Sequence, residues 1–277
     1  MPNVCGFGQD ARCEQWPPMR REPMSEENEP ARVALVTGAT SGIGRACALR
    51  LSIEGFTVVV GGRNESRAAA LVNEITATGG IASTALGDVS DPTYGASAVT
   101  KAVTDHGRLD VLVNAAGVIT RADAEGTTDA EWRRVMSTNV DGVFWTSRAS
   151  VPALRAAGGG VIVNISSTCG LVGNAGLVAY CASKGAVSNM TRAMALDHAA
   201  EGIRINAICP GAVDTDMLYS ERSDSLEEVQ AINLPDIPEG RLPTGEEIAH
   251  VVSFLADDRS RHLNGANISV DGGYTAQ

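Results

Sequence analysis

The sequence TGATSGIG, residues 37–44, lies between an apolar run, VALVT (33–37), and a helix-like segment, RACALRLSIEG (45–55). A glycine-rich turn between a strand and a helix lets the backbone approach a pyrophosphate, whose charge the free N–H groups of the helix can bind. A second apolar run, FTVVV (56–60), follows the helix-like segment. Strand, glycine turn, helix and second strand together predict a dinucleotide-binding βαβ unit.

The helix after this turn is predicted to end at Gly55 and to carry apolar residues at Ala46, Leu49 and Ile53. Its N-terminus and the turn before it form the part of the unit that would hold the pyrophosphate. The residues of the turn that we expect to contact a dinucleotide are Gly38, Thr40, Ser41, Gly42, Ile43 and Gly44.

The end of the second strand, VVVGGRN (58–64), bears on the choice between NAD and NADP. An Asp or Glu at this place would bind the adenosine ribose hydroxyls of NAD, but the chain has Gly62 followed by Arg63. A guanidinium can pair with the 2′-phosphate of NADP, and the missing carboxylate removes a repulsion against that phosphate. The sequence therefore predicts NADP(H) as the preferred cofactor, with NAD(H) as an option. The alternative is an Arg63 that stacks on adenine or points into solvent.

Further short apolar runs alternate with helix-like segments along the rest of the chain: IASTAL (81–86), LDVLVN (109–114), GVIVNIS (160–166), IRINAI (203–208) and NISVD (267–271). Runs of this length without polar alternation are typical of parallel strands that are covered on both faces. Together with the first two runs they predict an α/β fold. We expect a Rossmann-type doubly wound parallel sheet of about seven strands with helices on both faces.

The composition narrows the class of protein. Of the 277 residues, 44% are hydrophobic and 20% are charged, as in a globular protein, and the net charge of −11 argues against nucleic acid or an anionic membrane surface as partner. Residues 1–30 lack apolar periodicity, so we expect a disordered leader there, with Met24 as an alternative start, and a single domain at residues 31–277. No stretch resembles a transmembrane helix or signal peptide, which predicts a cytoplasmic protein. The six cysteines lack metal or disulfide spacing.

Tyr180 and Lys184 lie in a predicted helix, VAYCASKGAVSNM (178–190), whose other positions are mostly small or apolar. Their i, i+4 spacing places the phenol and the ammonium on one face, within reach of a common ligand. The pair could serve a reaction, or it could be an accident of an amphipathic helix. The spacing alone does not decide between the two.

Several motifs, taken in order, resemble those of the short-chain dehydrogenase/reductase family, in its core subfamily of single-domain enzymes. The resemblance covers the chain from Arg32 to the C-terminus and extends to members named 3-oxoacyl-carrier-protein reductases. It is carried by TGATSGIG (37–44), NAAG (114–117), STNVDG (137–142), Ser167, Tyr180 with Lys184, PGAVDT (210–215) and VDGG (270–273). In NAAG, Ala115 stands where a second Asn is more usual.

The resemblance implies a catalytic tetrad of Asn139, Ser167, Tyr180 and Lys184. Ser167 is implied rather than Ser166 because the family serine precedes the tyrosine by thirteen positions. Tyr180 would exchange a proton with the substrate oxygen, its pKa lowered by Lys184, which would also hold the nicotinamide ribose. Ser167 would hydrogen-bond the substrate oxygen, and Asn139 would fix a water that links Lys184 to solvent. No metal is needed.

The remaining cofactor contacts also come from the resemblance. Asp88 would contact adenine, followed by Val89, although Asp88 could instead cap a helix. Asn114 would stabilise the central sheet, whereas Ala115 and Gly117 would let a ribose lie close to the backbone. The loop that would hold the nicotinamide carboxamide contributes Pro210, Gly211, Val213 and Thr215.

Residues 217–242 stand where the family carries its substrate lid. The segment is acidic. Its residues Leu226, Val229 and Ile232 could face the pocket, or the segment could be a solvated surface helix. The residues expected to line a substrate pocket of mixed polarity are Thr168, Cys169, Asn174 and Leu177.

These features predict an NADP(H)-preferring oxidoreductase that interconverts a small or medium ketone and a secondary alcohol. A reductase of carrier-protein thioesters would meet its acidic partner with arginines, whose matching positions here are Gly158 and Glu201. An NAD-dependent secondary alcohol dehydrogenase and a non-catalytic dinucleotide-binding regulator are further alternatives. From the family we also expect a homotetramer that pairs through the helices after the fourth and fifth strands and through the last strand.

Overall fold

Seven strands form the centre of the computed structural model, which describes residues 31–220 and 226–276. They are β1 (Val33–Thr37), β2 (Thr57–Gly62), β3 (Ala82–Leu86), β4 (Val111–Asn114), β5 (Gly160–Ile165), β6 (Ile203–Pro210) and β7 (Asn267–Val270). All neighbours pair in parallel, in the order β3-β2-β1-β4-β5-β6-β7. Each predicted apolar run overlaps one strand, so the predicted Rossmann-type sheet is confirmed.

Helices connect the strands and cover both faces of the sheet. They are α1 (Gly42–Ile53), α2 (Glu65–Ala77), α3 (Tyr94–His106), α4 (Asp129–Met136), α5 (Gly142–Ala156), α6 (Val178–His198), α7 (Asp216–Tyr219), α8 (Leu226–Asn233) and α9 (Gly245–Ala256). On one face α1, α2 and α9 pack against the strands through residues such as Leu51 and Val252. On the other face α3, α5 and α6 do so through residues such as Leu154 and Met194.

Burial on both faces explains why the strands read as continuous apolar runs. In β1, Ala34 and Val36 belong to the first core, whereas Val33 and Leu35 belong to the second. Successive side chains of a strand point to opposite faces of the sheet. Because helices cover both faces here, both sets of positions are mostly apolar.

The order of the strands reverses between β1 and β4. Strands β2 and β3 lie to one side of β1, and β5, β6 and β7 lie beyond β4. Connections that leave the carboxyl ends of β1 and β4 therefore diverge and open a crevice between them. The glycine turn (37–44) follows β1 and the NAAG segment (114–117) follows β4, so both motifs meet at this crevice.

Helix α1 buries only part of its apolar surface against the sheet. Leu51 is fully buried, together with Cys47 and Ala48, and Ala46 and Leu49 pack against the margin of the same core. Ile53, however, is 76% exposed. Ile53 follows Leu51 by two residues, or about 200° around the helix, and therefore points away from the buried face.

The described residues from Ala31 onward belong to one compact unit, and we propose residues 31–277 as a single domain. The predicted leader, residues 1–30, lies outside the described residues. Of the helices that the structure describes, none combines the length and the apolar character needed to cross a bilayer.

Candidate active site

A cleft of about 1150 Å³ lies at the carboxyl ends of the strands. It is lined by the glycine turn after β1, the ends of β2 and β3, the NAAG segment, the first turns of α6 and the segment after β6. Every predicted site residue lines this cleft except Asn114 and Asn139. These two asparagines are buried beneath it, with exposures of 2% and 0%.

The glycine turn brings two backbone segments into close contact at the base of the cleft. Gly38 has a φ of +66°, and a Cβ added to it would lie 2.7 Å from backbone atoms of Ala116. A Cβ added to Gly44 would lie 2.2 Å from the carbonyl oxygen of Gly38. The turn can therefore be built only from glycine at these positions, and it brings the start of α1 against the carboxyl end of β1.

The N-terminus of α1 is suited to an anionic group. Its N-cap residue, Ser41, makes no side-chain capping bond, and its first turn contains no acidic residue. Helices α4 and α9 instead have complete capping boxes, built around Thr128 and Thr244. The first N–H groups of α1 thus face the cleft without a side-chain acceptor, which fits the phosphates of a dinucleotide.

The predicted adenosine end of the cleft contains an ion pair. Arg63 Nη1 lies 3.1 Å from Asp88 Oδ2, and the Arg63 side chain is 71% exposed. Asp88 Oδ1 accepts hydrogen bonds from the backbone N and the hydroxyl of Ser90, so it caps a turn. Helix α3 begins later, after Thr93, and the alternative of Asp88 as a helix N-cap is therefore wrong. Sequence analysis missed Arg67, which lines the same corner; its spacing of four residues from Arg63 was the available signal.

Tyr180, Lys184 and Ser167 come together at the opposite end of the cleft. All three are nearly buried, and the Lys184 ammonium lies 5.6 Å from the centroid of the Tyr180 ring. Lys184 Nζ donates a hydrogen bond of 2.8 Å to the carbonyl oxygen of Ile165, at the end of β5. Ser167 Oγ accepts from the backbone N of Cys169 at 3.1 Å and donates over 3.5 Å to the carbonyl oxygen of Pro210. The last contact is long, so this hydroxyl proton can turn to a stronger acceptor.

Burial has the largest effect on the pKa values of Tyr180 and Lys184. It raises the pKa of the Tyr180 phenol well above its ordinary value, opposed by the Ser167 side chain and by the charge of Arg121. Burial also lowers the pKa of Lys184 to about 8. In the protein alone, desolvation of the phenolate outweighs the effects of Ser167 and Arg121 that lower the pKa of Tyr180. The lowering of this pKa by Lys184 stays a prediction.

Asn139 fixes the backbone on two sides of the cleft. It lies in a π-helical turn, Ser137–Asp141, between α4 and α5. Its side chain accepts from the N of Val118 and donates to the O of Val118, both at 2.8 Å, and it donates to Ser183 Oγ at 3.0 Å. Ser183 in turn donates to the carbonyl oxygen of Tyr180. The amide therefore joins the segment after β4 to the first turn of α6, and its water-holding role stays a prediction.

A second polar chain runs through the sheet beneath the cleft. Asn114 Nδ2 donates to Asn164 Oδ1 at 2.9 Å and to Ser147 Oγ at 3.0 Å, and Asn164 Nδ2 donates to Thr191 Oγ1 at 2.9 Å. These bonds join β4, β5, α5 and α6 beneath Ser167, Tyr180 and Lys184. Ser166, beside Ser167, instead donates to the carbonyl oxygen of Lys184.

The substrate end of the cleft is lined by the predicted residues Thr168, Cys169, Asn174 and Leu177. Sequence analysis missed further lining residues from two segments, the one after β4 and the one after β6: Ile119, Arg121, Met217 and Leu218. Val229 is fully buried, whereas the side chains of Leu226 and Ile232 lie outside the described residues. Burial raises the pKa of Cys169 to about 11, so this thiol is protonated at neutral pH.

Gly158 and Glu201, which stand where a carrier-protein reductase is expected to have arginines, lie just after α5 and α6. Glu201 binds Arg155 through both carboxylate oxygens, at 2.7 and 2.8 Å, and it also contacts His198 Nδ1. Gly158 has a φ of +90°. Arg155 is thus already paired with an acidic residue of the protein itself.

Replacing Lys184 with Met should remove a rise in stability between pH 8 and 10.5. Because burial lowers the pKa of Lys184 from 10.5 to about 8, the folded protein releases a proton in this window that the unfolded chain keeps. The free energy of unfolding of the wild type therefore gains roughly 3 kcal/mol across it, relative to Lys184→Met. Urea unfolding over this pH range measures the difference.

Lys101→Met is the matched control, because Lys101 is a surface residue paired with Asp105 on the same helix. That variant should keep the wild-type pH dependence. Parallel curves for the wild type and Lys184→Met would contradict the desolvation of Lys184.

Known proteins resemble this chain along most of its length. The profile described as short chain dehydrogenase matches residues 32–226. The cyclohexanol dehydrogenase of Acinetobacter sp. (strain SE19) is 39% identical over 89% of this chain and 96% of its own length. The meso-2,3-butanediol dehydrogenase of Serratia marcescens is 40% identical over 88% of this chain and 95% of its own length.

A crystal structure of a candidate NAD(P)-dependent gluconate 5-dehydrogenase from Beutenbergia cavernae, with NADP bound at low occupancy, superposes with a TM-score of 0.83. It is 37% identical, and the match covers 90% of this chain and 98% of that one. Within the described residues, no group of three or more His, Cys, Asp or Glu side chains is arranged to hold a metal ion.

Proposed function

Because the chain belongs to the short-chain dehydrogenase family, we propose that it is an NADP(H)-preferring oxidoreductase that interconverts a secondary alcohol and a ketone. The proposal is carried by a single cleft whose two ends are lined by different kinds of residue. The glycine turn and Arg63 line one end, and Ser167, Tyr180 and Lys184 line the other. A dinucleotide laid along such a cleft would have its phosphates at the start of α1 and its nicotinamide beside Tyr180.

The residues at the first end fit a dinucleotide phosphate. The first turn of α1 offers N–H groups without a side-chain cap. Arg63 and Arg67 line the corner where an adenosine 2′-phosphate would lie, and their charges would stabilise it. Asp88 opposes the binding of a 2′-phosphate, because it pairs with Arg63 and is itself negative. We therefore expect a preference for NADP(H) rather than exclusion of NAD(H).

The residues at the second end fit proton transfer to and from an oxygen atom. Bound nicotinamide would supply or accept the hydride. Tyr180 would donate its phenolic proton to the ketone oxygen, or accept the alcohol proton in the reverse direction. Ser167 would turn its hydroxyl from Pro210 to that oxygen and stabilise its charge.

Lys184 would return protons to Tyr180 and hold the cofactor ribose. Within the part of the chain that the structure describes, its ammonium donates one hydrogen bond, to Ile165 O. Its pKa of about 8 lies close to neutral pH, where a proton relay is most effective. Asn139 would hold the backbone on both sides of this relay. The oxidised nicotinamide ring is cationic, so its binding would favour the phenolate of Tyr180 beyond what the protein alone allows.

The substrate we propose is a small or medium secondary alcohol or ketone with an apolar body. Ile119, Leu177 and Met217 supply apolar surface, and Thr168 and Asn174 supply polar groups. The named relatives that act on cyclohexanol and on meso-2,3-butanediol support this class. Both are named dehydrogenases, which supports alcohol oxidation. With NAD⁺ as the oxidant, this is the second candidate function.

We further propose a cytoplasmic homotetramer. Helices α5 and α6 expose Phe144 at 41% and Leu196 at 82%, large apolar side chains on the helices expected to pair. Val187 and Met194, on the same helix as Leu196, are instead part of the buried interior. Sedimentation of the purified protein measures the assembly state.

A panel of cyclic and vicinal secondary alcohols, including cyclohexanol and meso-2,3-butanediol, tests the function with NADP⁺ and NAD⁺. We expect reduced nicotinamide to accumulate, with a higher kcat/KM for NADP⁺. The corresponding ketones should oxidise NADPH. A protein that binds both dinucleotides but turns over no member of either panel would contradict the proposal and favour a regulator.

A further inference from the structure

Arg121 is the charged residue at the substrate end that the proposed mechanism does not use. It follows β4, is partly buried, and lines the cleft together with Met217 and Leu218 of α7. Its Nη2 donates to the carbonyl oxygen of Leu218 at 3.1 Å, and its Nε donates to that of Ser220 at 3.4 Å. These carbonyls belong to the end of α7, where unpaired C=O groups attract a cation.

The backbone that carries Arg121 is held in place on both sides. Val118 is bound by the amide of Asn139, and Arg134 Nη2 donates to Ile119 O at 2.9 Å and to Thr120 Oγ1 at 2.7 Å. On the far side, Ala122 forms a parallel bridge with Leu177, immediately before α6. The segment that presents Arg121 is thus joined to the helix of Tyr180, while its guanidinium reaches α7.

We propose that Arg121 is a positioning residue that holds α7 against the cleft and places a positive charge beside the tyrosine that handles the proton. This inference rests on the proposed function. One side chain would then link enclosure of the substrate to the ionisation of Tyr180.

The proposed effect of Arg121 on the pKa of Tyr180 depends on the other ionisable groups around this phenol. The ionisable groups that act on its phenol are Cys169 from the turn after β5, Cys181 from its own helix, and Arg121. Lys184 Nζ lies 5.6 Å from the centroid of its ring. The other charged residues of the cleft are Arg63, Arg67, Asp88, Asp216 and Asp236. The charge of Arg121 lowers the pKa of Tyr180, opposing the effect of burial. Loss of that charge would raise it, so alcohol oxidation, which needs the phenolate, would require a higher pH.

Two substitutions of Arg121 separate its hydrogen bonds to the carbonyls of α7, which we call the tether, from its positive charge. Arg121→Gln removes both, whereas Arg121→Lys keeps the charge but lacks the planar fork that serves two carbonyls. We expect the KM for the alcohol to rise several-fold in both variants. The midpoint of the rising limb of kcat/KM against pH should move up by roughly half a unit or more in Arg121→Gln and stay near the wild-type value in Arg121→Lys. Arg133→Gln, on exposed α4, is the control and should change neither.

Hydrogen exchange of the cofactor-free protein tests the tether without any turnover. We expect the amides of residues 216–220 to exchange at least several-fold faster in both Arg121 variants than in the wild type and Arg133→Gln. Unchanged exchange in this segment, or an unchanged pH midpoint in an active Arg121→Gln enzyme, would overturn the inference. A wild type that oxidises no alcohol would instead contradict the proposed function, and the exchange comparison would still decide the tether.

Discussion

Tyr180→Phe is expected to lower kcat for alcohol oxidation and ketone reduction by roughly a thousandfold or more, since general acid–base catalysis contributes about 10²–10⁴ and the proposed mechanism assigns the proton transfer to this phenol. The ring itself would remain in place, because it packs with Ile119, Cys169 and Leu177 in a small apolar cluster. Binding of NADPH, followed by its fluorescence, should therefore stay within about twofold of the wild type. A loss confined to kcat is the signature of an interaction made in the reaction rather than in binding.

Tyr94→Phe provides the matched control. Tyr94 is also buried and also donates a hydrogen bond, to the carbonyl oxygen of Ala85 at 3.0 Å, but it does not line the cleft. Its substitution should cost about 1 kcal/mol of stability and leave kcat unchanged. Substantial activity in Tyr180→Phe, at any pH, would mean that another group transfers the proton.

Arg63→Ala is expected to weaken NADPH binding by about tenfold to a hundredfold and to leave NADH binding within about twofold. A hydrogen bond to a charged group contributes roughly 1.5–3 kcal/mol, and the 2′-phosphate is the only group that distinguishes the two dinucleotides. Arg63 is 71% exposed, so we expect the NADPH advantage of the wild type to shrink as salt is added. Fluorescence titration with each reduced cofactor at two ionic strengths measures this.

Asp88 supplies an independent check on the same assignment, because it holds Arg63 in the free protein. Asp88→Asn would keep the oxygen that binds Ser90 and remove the negative charge beside the phosphate site. This variant should bind NADPH more tightly than the wild type. Arg259→Ala, which removes an exposed arginine paired with Asp257, is the control. Equal loss of NADPH and NADH binding in Arg63→Ala would contradict a contact with the 2′-phosphate.

The fold could be predicted from the sequence because each strand carries its own signal. Parallel strands buried on both faces must be apolar along their length, and the seven runs are interrupted by glycine turns and helical segments. The face of α1 was less predictable. Ala46, Leu49 and Ile53 share a helix face by spacing, yet the sheet selects the neighbouring face with Leu51, since close packing at Gly44 sets the rotation of the helix.

The sequence predicted which residues form the candidate site, but it did not predict their pKa values. Motif spacing identified the side chains that line the cleft, whereas the pKa of Tyr180 depends on burial, which no local pattern reveals. Arg121 and Arg67 were missed for a related reason. Arg67 lies on α2, where an exposed arginine is unremarkable by pattern, and Arg121 lies in a connecting segment. Only the folded chain shows that Arg121 reaches carbonyls about a hundred residues further along.

Transfer of deuterium tests the central claim most directly. The wild type is incubated with NADP⁺ and with a panel of secondary alcohols that includes cyclohexanol, each deuterated at its carbinol carbon, and the NADPH formed is analysed by mass spectrometry. We predict that deuterium appears on the nicotinamide ring with the wild type and falls to background with Tyr180→Phe. A wild type that binds NADPH but transfers deuterium from no alcohol of the panel, to either NADP⁺ or NAD⁺, would contradict hydride transfer at this cleft.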